Sequence, residues 1–315
     1  MIAAFTFPGQ GSQAVGMGRE LADNFAAARA VFDEVDAALG QRLSALMWDG
    51  PIEDLTLTSN AQPALMAVSM ATVRVLEAEF GVTVKDHASF VAGHSLGEYS
   101  ALAAAGTFSI ADTARLLRIR GDAMQKATPV GTGAMAALLG LDYEAAAKVA
   151  AEAAQGDVCQ AANDNAPGQV VVSGHKAAVE RAVEIAKGHG AKRAMLLPVS
   201  APFHCALMQP AADVMAEALA GVTMHDPAVP LIANVTAAPV SDAASIRDNL
   251  VKQVTGTVRW RESVEWMAAN GVAVMVELGA GKVLTGMARR MAPDANCMAT
   301  ASVADLEAVA AALKA

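Results

Sequence analysis

The chain has 315 residues, of which 54% are hydrophobic, 17% charged and 4% aromatic, and its formal net charge is −9. This length and composition suit a large folded core and argue against extended disorder. The acidic balance, the lack of a basic run and the scarcity of aromatic side chains argue against nucleic-acid binding.

The first third of the chain predicts alternating strands and helices. Ile2–Phe7 is an apolar run that ends at Pro8-Gly9 and lacks the basic start of a signal peptide, so it predicts a buried strand. The elements predicted after it are helices at 19–39 and 61–79, a strand at 89–92, a helix from Glu98 and a helix at 111–126. Repeated strand-to-helix order predicts a parallel sheet covered by helices.

The middle of the chain follows a different order, β-α-β-β-α-β, which is typical of a ferredoxin-like unit. The predicted elements are a strand at 134–141, a helix at 143–154, strands at 158–163 and 169–173 joined by a turn at 164–168, a helix at 176–189 and a strand at 192–199. Segments rich in Pro and Gly flank the unit, so we predict an inserted subdomain at 127–199.

The remainder returns to the α/β pattern. The predicted elements are a helix at 206–219, a strand at 231–234, a helix at 263–270, a strand at 273–278 and a helix from Val283. We therefore expect residues 1–126 and 200–315 to form one α/β core.

The three cysteines, Cys159, Cys205 and Cys297, are odd in number and widely spaced. This pattern is typical neither of a disulfide framework nor of a metal cluster. No segment is long and apolar enough to predict a transmembrane helix. We therefore expect a cytoplasmic protein without a bound metal ion.

The run Gly93-His94-Ser95-Leu96-Gly97 lies between a predicted strand and a predicted helix. The pattern Gly-x-Ser-x-Gly in that context indicates a nucleophile elbow, in which a sharp turn exposes a serine hydroxyl above the sheet. A glycine-rich turn with an N-capping serine is the alternative. We predict that Ser95 is a covalent nucleophile.

A serine nucleophile needs a base, and His204 is the strongest candidate of the six histidines. It lies in a proline-stiffened loop after a predicted strand, and such loops gather at the carboxyl edge of an α/β sheet, where the elbow also opens. A loop or core histidine without a catalytic role is the alternative. The carboxylates between Ser95 and His204, such as Asp142, Asp157 and Asp164, fall in the insert. The order favours a Ser-His dyad whose imidazole is oriented by a group other than a carboxylate.

Arg120 lies on the apolar side of its predicted helix, next to Leu116, Leu117 and Met124 at spacings of three and four. A guanidinium buried without a counter-charge is costly. It therefore meets either a carboxylate of the protein, or one of a substrate, which Arg is suited to bind in a bidentate manner. An Arg that extends its charged end to solvent is a further alternative.

The ordered motifs of the chain resemble the malonyl-CoA:acyl-carrier-protein transacylases and the related acyltransferase domains of polyketide synthases. The segments that carry this resemblance are Phe7–Gln13, Gly93–Tyr99, Arg120-Gly121 with Met124-Gln125, Gly131–Met135, Asn165–Val171, His204, Gln253 and Glu277–Leu284. The resemblance spans almost the whole chain and implies a hydrolase-like parallel-sheet core with a ferredoxin-like insert.

The resemblance also implies a role for each site residue. Ser95 would carry a malonyl ester, and His204 would be the base, held by the backbone carbonyl near Gln253. Backbone N–H groups of Gln10 and Leu96 would form the oxyanion hole. Arg120 would bind the free malonyl carboxylate.

His94, Met124 and Phe203 are implied neighbours of these groups. Phe203 stands where bacterial members often have serine, and a bulky ring there resembles the malonyl-selective pattern of polyketide acyltransferases. Ala280 replaces a proline that is common in the family.

The resemblance implies malonyl-CoA and an acyl carrier protein as partners, with no cofactor and no metal. An acidic carrier protein needs a basic patch, for which Lys282, Arg289 and Arg290 are candidates. We expect a monomer, although the sequence does not define the oligomeric state or separate fatty-acid from polyketide synthesis.

Three other functions stay open at this point. Gly9–Ala14 matches the dinucleotide-binding pattern, with Asp33 at a suitable distance, but Gly16 and Gly18 interrupt the helix that should follow. A serine esterase or thioesterase would not need a carboxylate-binding Arg. A non-catalytic module that binds carrier protein would not need both Ser95 and His204.

Overall fold

The computed structural model describes residues 2–314, in which two β-sheets are covered by helices. The strands are β1 (Ala3–Phe7), β2 (Phe90–Gly93), β3 (Gly133–Leu139), β4 (Cys159–Ala166), β5 (Gln169–His175), β6 (Arg193–Leu196), β7 (Leu231–Ile232), β8 (Pro239–Val240), β9 (Val274–Glu277) and β10 (Asn296–Ala299). The helices of the first half are α1 (Arg19–Asn24), α2 (Ala26–Leu39), α3 (Leu43–Asp49), α4 (Ile52–Thr56), α5 (Thr58–Phe80), α6 (Val84–His87), α7 (Gly97–Ala104), α8 (Ile110–Lys126) and α9 (Tyr143–Ala154). The later helices are α10 (Lys176–Ala186), α11 (Gln209–Ala220), α12 (Ala243–Thr255), α13 (Trp260–Ala269), α14 (Val283–Met291) and α15 (Val303–Lys314), with a 3-10 turn at Ala206–Met208.

The larger sheet has the strand order β10-β9-β1-β2-β7-β8 and is parallel except for β8. Neighbouring residues of one strand contribute to different apolar clusters: Phe5 and Val91 belong to one, and Ala4 and Ala92 to another. Side chains alternate across a strand, so both faces of the sheet are covered. The parallel-sheet core predicted from the sequence is confirmed.

The smaller sheet has the order β4-β5-β3-β6, and its neighbouring strands are antiparallel. Helices α9 and α10 pack on it over a separate apolar cluster that includes Val149, Val170 and Val179. This order is that of the predicted ferredoxin-like unit. All four strands lie inside 127–199, and the division of the chain at those two positions stays a prediction.

Side-chain caps account for where several helices begin. The hydroxyl of Ser109 accepts a hydrogen bond from the Asp112 N–H at the start of α8. Asp142 and Asp242 cap α9 and α12 in the same way. Each cap satisfies a backbone donor that the first helical turn leaves free.

The helices and strands of the structure differ from the predicted ones at several places in the chain. The predicted helix at 19–39 is broken at Phe25, whose φ of −130° and ψ of 121° are extended. Strand β4 continues through the predicted turn as far as Ala166, with irregular pairing to β5, and only Pro167-Gly168 turns. Five helices and two short strands were not predicted: α3, α4, α6, α12, α15, β8 and β10.

Residues 2–314 contain no helix that is both long and apolar enough to span a membrane.

Candidate active site at the Ser95 elbow

Ser95 lies in a sharp turn between the end of β2 and the start of α7, as the elbow motif predicts. Its φ of 54° is in the left-handed region, which a side chain other than glycine rarely adopts. A Cβ at Gly93 would lie 1.9 Å from the Gly97 carbonyl oxygen, and one at Gly97 would lie 2.2 Å from that of Phe7. The two glycines therefore let the strand and helix approach closely enough to form the turn.

The imidazole of His204 lies against the hydroxyl of Ser95. Its Nε2 is 2.7 Å from Ser95 Oγ, and its Nδ1 is 2.9 Å from the backbone carbonyl oxygen of Gln253. Since a carbonyl accepts hydrogen bonds, Nδ1 carries the proton and Nε2 is free to accept the serine proton. The residue order favoured a dyad without a carboxylate, and the family resemblance implied the carbonyl near Gln253 as the orienting group.

The three acidic residues considered for a triad have other partners. Asp142 caps α9, Asp157 pairs with Arg181, and Asp164 pairs with Arg261. None of them contacts His204. The buried position of His204 lowers its pKa to about 3, with the positive charge of Arg120 acting in the same direction. The imidazole is therefore neutral, as a general base must be.

Gln10 and Leu96 both line the cavity in front of Ser95. Among the described residues, neither backbone N–H donates a hydrogen bond. Leu96 immediately precedes α7, so its N–H belongs to the positive end of that helix. Their placement suits an oxyanion hole, and that role stays a prediction.

Arg120 is fully buried, and its guanidinium lies beside the same serine oxygen. Its Nη2 donates to Ser95 Oγ at 3.2 Å and to Gln253 Oε1 at 2.8 Å, while Nη1 donates to Gln62 Oε1 at 2.7 Å. Within residues 2–314 it forms no ion pair with a carboxylate, and its Nε has no hydrogen-bond partner. The structure therefore shows neither the internal ion pair nor the solvent-exposed guanidinium considered from the sequence, and binding of an external carboxylate at Arg120 stays a prediction.

The cavity in front of Ser95 has a volume of about 390 Å³ and lies between the core and the smaller sheet. Arg120, Met124 and Phe203 line it from the core, and Met135 and Val171 line it from the smaller sheet. Polar side chains such as Gln62 and Asn165 lie among apolar ones around it, and a concave site with converging polar groups is typical of small-molecule binding.

His94 also lines the cavity, but among the described residues it forms no hydrogen bond with Ser95. Its Nε2 is 2.7 Å from Asn165 Oδ1, and its ring packs edge-on against Trp260. Burial lowers the pKa of His94, although the Asn165 contact opposes the change. It therefore connects the elbow to β4 and is not placed to act as the base.

Four residues around this site were given no role from the sequence, although two of them fall in segments that carry the family resemblance: Gln62, Asn234, Glu98 and Asn165. Asn234 Oδ1 accepts a hydrogen bond from the Ser95 N–H at 2.8 Å, and its Nδ2 donates to the Gly93 carbonyl at 2.7 Å. A polar residue directly after a buried strand is the signal that could have identified Asn234.

The remaining sequence candidates lie elsewhere. The glycine-rich segment at 9–14 leads through turns to α1, which begins only at Arg19, so it lacks the helix that a dinucleotide fingerprint requires. Arg290 donates to the carbonyl of Pro167 and Arg289 to that of Cys297. Carrier-protein docking at these arginines and Lys282 stays a prediction.

The comparisons with known proteins agree with this geometry. Residues 4–307 match the family described as acyl transferase domain. The malonyl CoA-acyl carrier protein transacylase of Salmonella typhimurium is 51% identical over 288 residues, which cover 91% of this chain and 92% of the relative.

Two solved structures extend the match to the whole fold. The acyl-carrier-protein-S-malonyltransferase of Bartonella henselae is 58% identical with a TM-score of 0.98, and all of both chains is covered. A malonyl-transacylase in complex with a type II polyketide synthase acyl-carrier protein is 43% identical, has a TM-score of 0.95, and matches over 99% of this chain and 100% of its own length. The chain therefore belongs to the malonyl CoA-acyl carrier protein transacylase family of acyltransferases.

Proposed function

We propose that the protein transfers a malonyl group from malonyl-CoA to the phosphopantetheine thiol of an acyl carrier protein through an ester on Ser95. The observation that carries the proposal is that a base and a guanidinium group both contact the hydroxyl oxygen of Ser95. Ser95 Oγ lies 2.7 Å from a neutral imidazole nitrogen of His204 and 3.2 Å from a guanidinium nitrogen of Arg120. A nucleophile beside a carboxylate-binding group suits an acyl donor that carries its own carboxylate.

In the first half-reaction, His204 Nε2 takes the Ser95 proton while Oγ attacks the thioester carbonyl carbon. The N–H groups of Gln10 and Leu96 stabilise the oxyanion. The C–S bond then breaks, and CoA leaves as a thiol with the proton from His204.

In the second half-reaction, the carrier-protein thiol transfers its proton to His204 and attacks the ester carbonyl. Ser95 regains the proton as the ester bond breaks, and malonyl thioester is formed on the carrier. The relative solved in complex with an acyl-carrier protein supports this second partner. We place the reaction in the cytoplasm, where the three buried thiols stay reduced.

Phe203 extends the proposal to the choice of acyl group. Its ring is buried and lines the cavity together with Ser95 and Arg120. A methyl branch next to the thioester carbonyl would need space near this ring. We therefore propose selection of malonyl over methylmalonyl groups at this wall.

Incubation of the protein with malonyl-CoA alone should add one malonyl group to Ser95, detected by intact-mass analysis and peptide mapping. Steady-state rates with varied malonyl-CoA and holo carrier protein should give the parallel double-reciprocal lines of a ping-pong mechanism. Acetyl-CoA and methylmalonyl-CoA, tested alongside, should acylate Ser95 more slowly. Malonyl transfer to the carrier without any malonyl-enzyme would contradict the proposal.

The pH dependence of acylation should reflect the neutral state of His204. Its pKa lies at about 3, below the ordinary value near 6.5, so His204 stays a free base as the pH falls from about 8 to 5. For acetyl-CoA, kcat/KM for acylation by Glu98→Gln, in which a buried carboxyl with a pKa of about 7 is replaced, should therefore show no descending limb near pH 6.5. Stopped-flow release of CoA between about pH 5 and 8 measures it, and such a limb in this variant would mean that His204 titrates normally.

A further inference from the structure

Glu98 is a fully buried acidic residue in the first turn of α7, three positions after Ser95. It takes no part in the proposed acyl transfer, and its carboxylate contacts Gln253, which also contacts Arg120. Burying an ionised carboxylate is costly unless hydrogen bonds or a counter-charge offset the loss of hydration.

One oxygen of Glu98 accepts two hydrogen bonds from groups that hold the site together. Its Oε2 lies 2.9 Å from Nε2 of Gln253 and 3.1 Å from the backbone N–H of Asn234. Its Oε1 has no hydrogen-bond partner among the described residues. The carboxylate thus contacts the two residues that bind the backbone of Ser95.

Gln253 occupies the centre of this network. Its backbone carbonyl accepts from His204 Nδ1, its Nε2 also donates to the Ser95 carbonyl at 2.9 Å, and its Oε1 accepts from Arg120 Nη2 at 2.8 Å. A side-chain amide has one donating end and one accepting end, whereas an ionised carboxylate only accepts. Glu98 Oε2 and the Ser95 carbonyl both accept from Nε2 and so hold the Gln253 oxygen toward Arg120, and of these two acceptors only Glu98 can carry a charge.

We propose that Glu98 is a positioning residue that fixes the amide orientation of Gln253 and thereby holds Arg120 ready for the carboxylate of the acyl donor. The inference rests on the proposed malonyl transfer. It adds to that proposal the residue that keeps Arg120, the carboxylate-binding group, in position. With the amide reversed, two donor groups would face each other at Arg120, and the guanidinium would leave its position beside Ser95.

The groups around Glu98 allow this orientation to depend on pH. Burial raises the pKa of Glu98 to about 7, while Gln253, Asn234 and the charge of Arg120 oppose the change. A proton on Oε1, the oxygen without a partner, leaves Oε2 as a neutral acceptor, and its hydrogen bonds to Gln253 and Asn234 are then weaker than those of the carboxylate.

The other ionisable groups near Glu98 do not titrate in the same range. Burial lowers the pKa values of His204 and His94 and raises that of the Tyr99 hydroxyl. Glu98 is ionised, and the amide fixed, above its pKa. The hold on Arg120 is therefore weakened as the pH falls below about 7.

Loss of the negative charge would also strengthen the attraction of Arg120 for a substrate carboxylate, which is the opposite effect. Glu98 makes no ion pair with Arg120 in the described chain, and the charge of Arg120 is the smallest of the influences on its pKa. The hydrogen bond from Arg120 to Gln253 is direct. We therefore expect the loss of orientation to exceed the gain in attraction.

The experiment compares the acylation rate with malonyl-CoA to that with acetyl-CoA, in wild type and in Glu98→Gln. Both reactions use Ser95 and His204, so titration of the dyad cancels in the ratio. In Glu98→Gln the ratio should fall roughly two- to fivefold, the effect of replacing charge-assisted hydrogen bonds by neutral ones, and should not vary with pH. In wild type the ratio should fall as the pH drops from about 8 to 6.

Glu277→Gln is the matched control. Glu277 is another buried glutamate with a raised pKa, but its carboxylate accepts hydrogen bonds from Leu284 and Thr285 at the start of α14. Its replacement should leave the ratio unchanged. Thermal melting of both variants separates a loss of stability from a change in selectivity.

Failure of the proposed function would appear as the absence of malonyl-enzyme in wild type. The results that test the role of Glu98 are different ones. A Glu98→Gln variant that keeps the wild-type ratio and its pH dependence would overturn the inference. So would an equal fall of the ratio in Glu277→Gln. If Glu98→Gln does not fold, a wild-type ratio that is constant between about pH 6 and 8 overturns it.

Discussion

Replacement of Ser95 by alanine should abolish formation of the malonyl-enzyme and lower malonyl transfer by a factor of about 10⁴ to 10⁶, as loss of a catalytic nucleophile does in other covalent enzymes. The oxygen that is removed is the atom that both His204 and Arg120 contact, at 2.7 and 3.2 Å. Binding of malonyl-CoA should persist, because the cavity and the guanidinium stay in place. Intact-mass analysis measures the adduct, and calorimetry measures binding.

Ser100→Ala supplies the control for this variant. Ser100 is a buried serine on α7, and its hydroxyl has no hydrogen-bond partner among the described residues. Its replacement should leave both adduct and transfer intact. A malonyl adduct that forms on Ser95→Ala as readily as on wild type would show that another residue is the nucleophile.

The three main site residues could be predicted from the sequence because each has a local signal. Ser95 lies in a short motif between a strand and a helix, His204 in a stiff loop after a strand, and Arg120 on the apolar side of a helix. The structure brings all three together at the carboxyl edge of the larger sheet. The carboxyl ends of parallel strands lie at one edge of the sheet, so the fold class itself predicts that residues following these strands lie close together.

The groups that orient these residues could not be placed in the same way. His204 is held by a carbonyl of α12, a helix that was not predicted, although Gln253 was implied by the family resemblance. Ile246, Leu250 and Val254 of that helix are buried at a spacing of four, and this spacing was the available signal. Nothing local to Glu98 shows that it meets Gln253, since these residues are far apart in the chain.

Errors in the predicted helices and strands also arise from contacts between residues that are distant in the sequence. Residues 164–168 contain Asp, Asn, Pro and Gly, which favour turns, yet β4 keeps pairing with β5 through most of them. Asp164 is stabilised in the strand by its ion pair with Arg261 on α13. A contact between elements distant in sequence therefore overrides the local preference.

The second large effect is expected for Arg120→Ala, which should lower acylation by malonyl-CoA far more than acylation by acetyl-CoA. Truncating one partner of a buried charge pair costs about 2–5 kcal/mol, which corresponds to a fall of roughly 30- to 4000-fold for malonyl. Acetyl lacks the carboxylate, so its rate should lose only the contact between Arg120 and Ser95 Oγ. Single-turnover acylation with each donor measures the two losses.

Arg118→Ala is the matched control on the same helix. Its guanidinium donates to Asn60 and Gln41 and has no contact with Ser95. Its replacement should change the malonyl and acetyl rates by the same small factor. Equal losses of the two rates in Arg120→Ala would instead assign Arg120 to positioning Ser95, and the selection of a carboxylate-bearing acyl group would then require a different residue of the cavity.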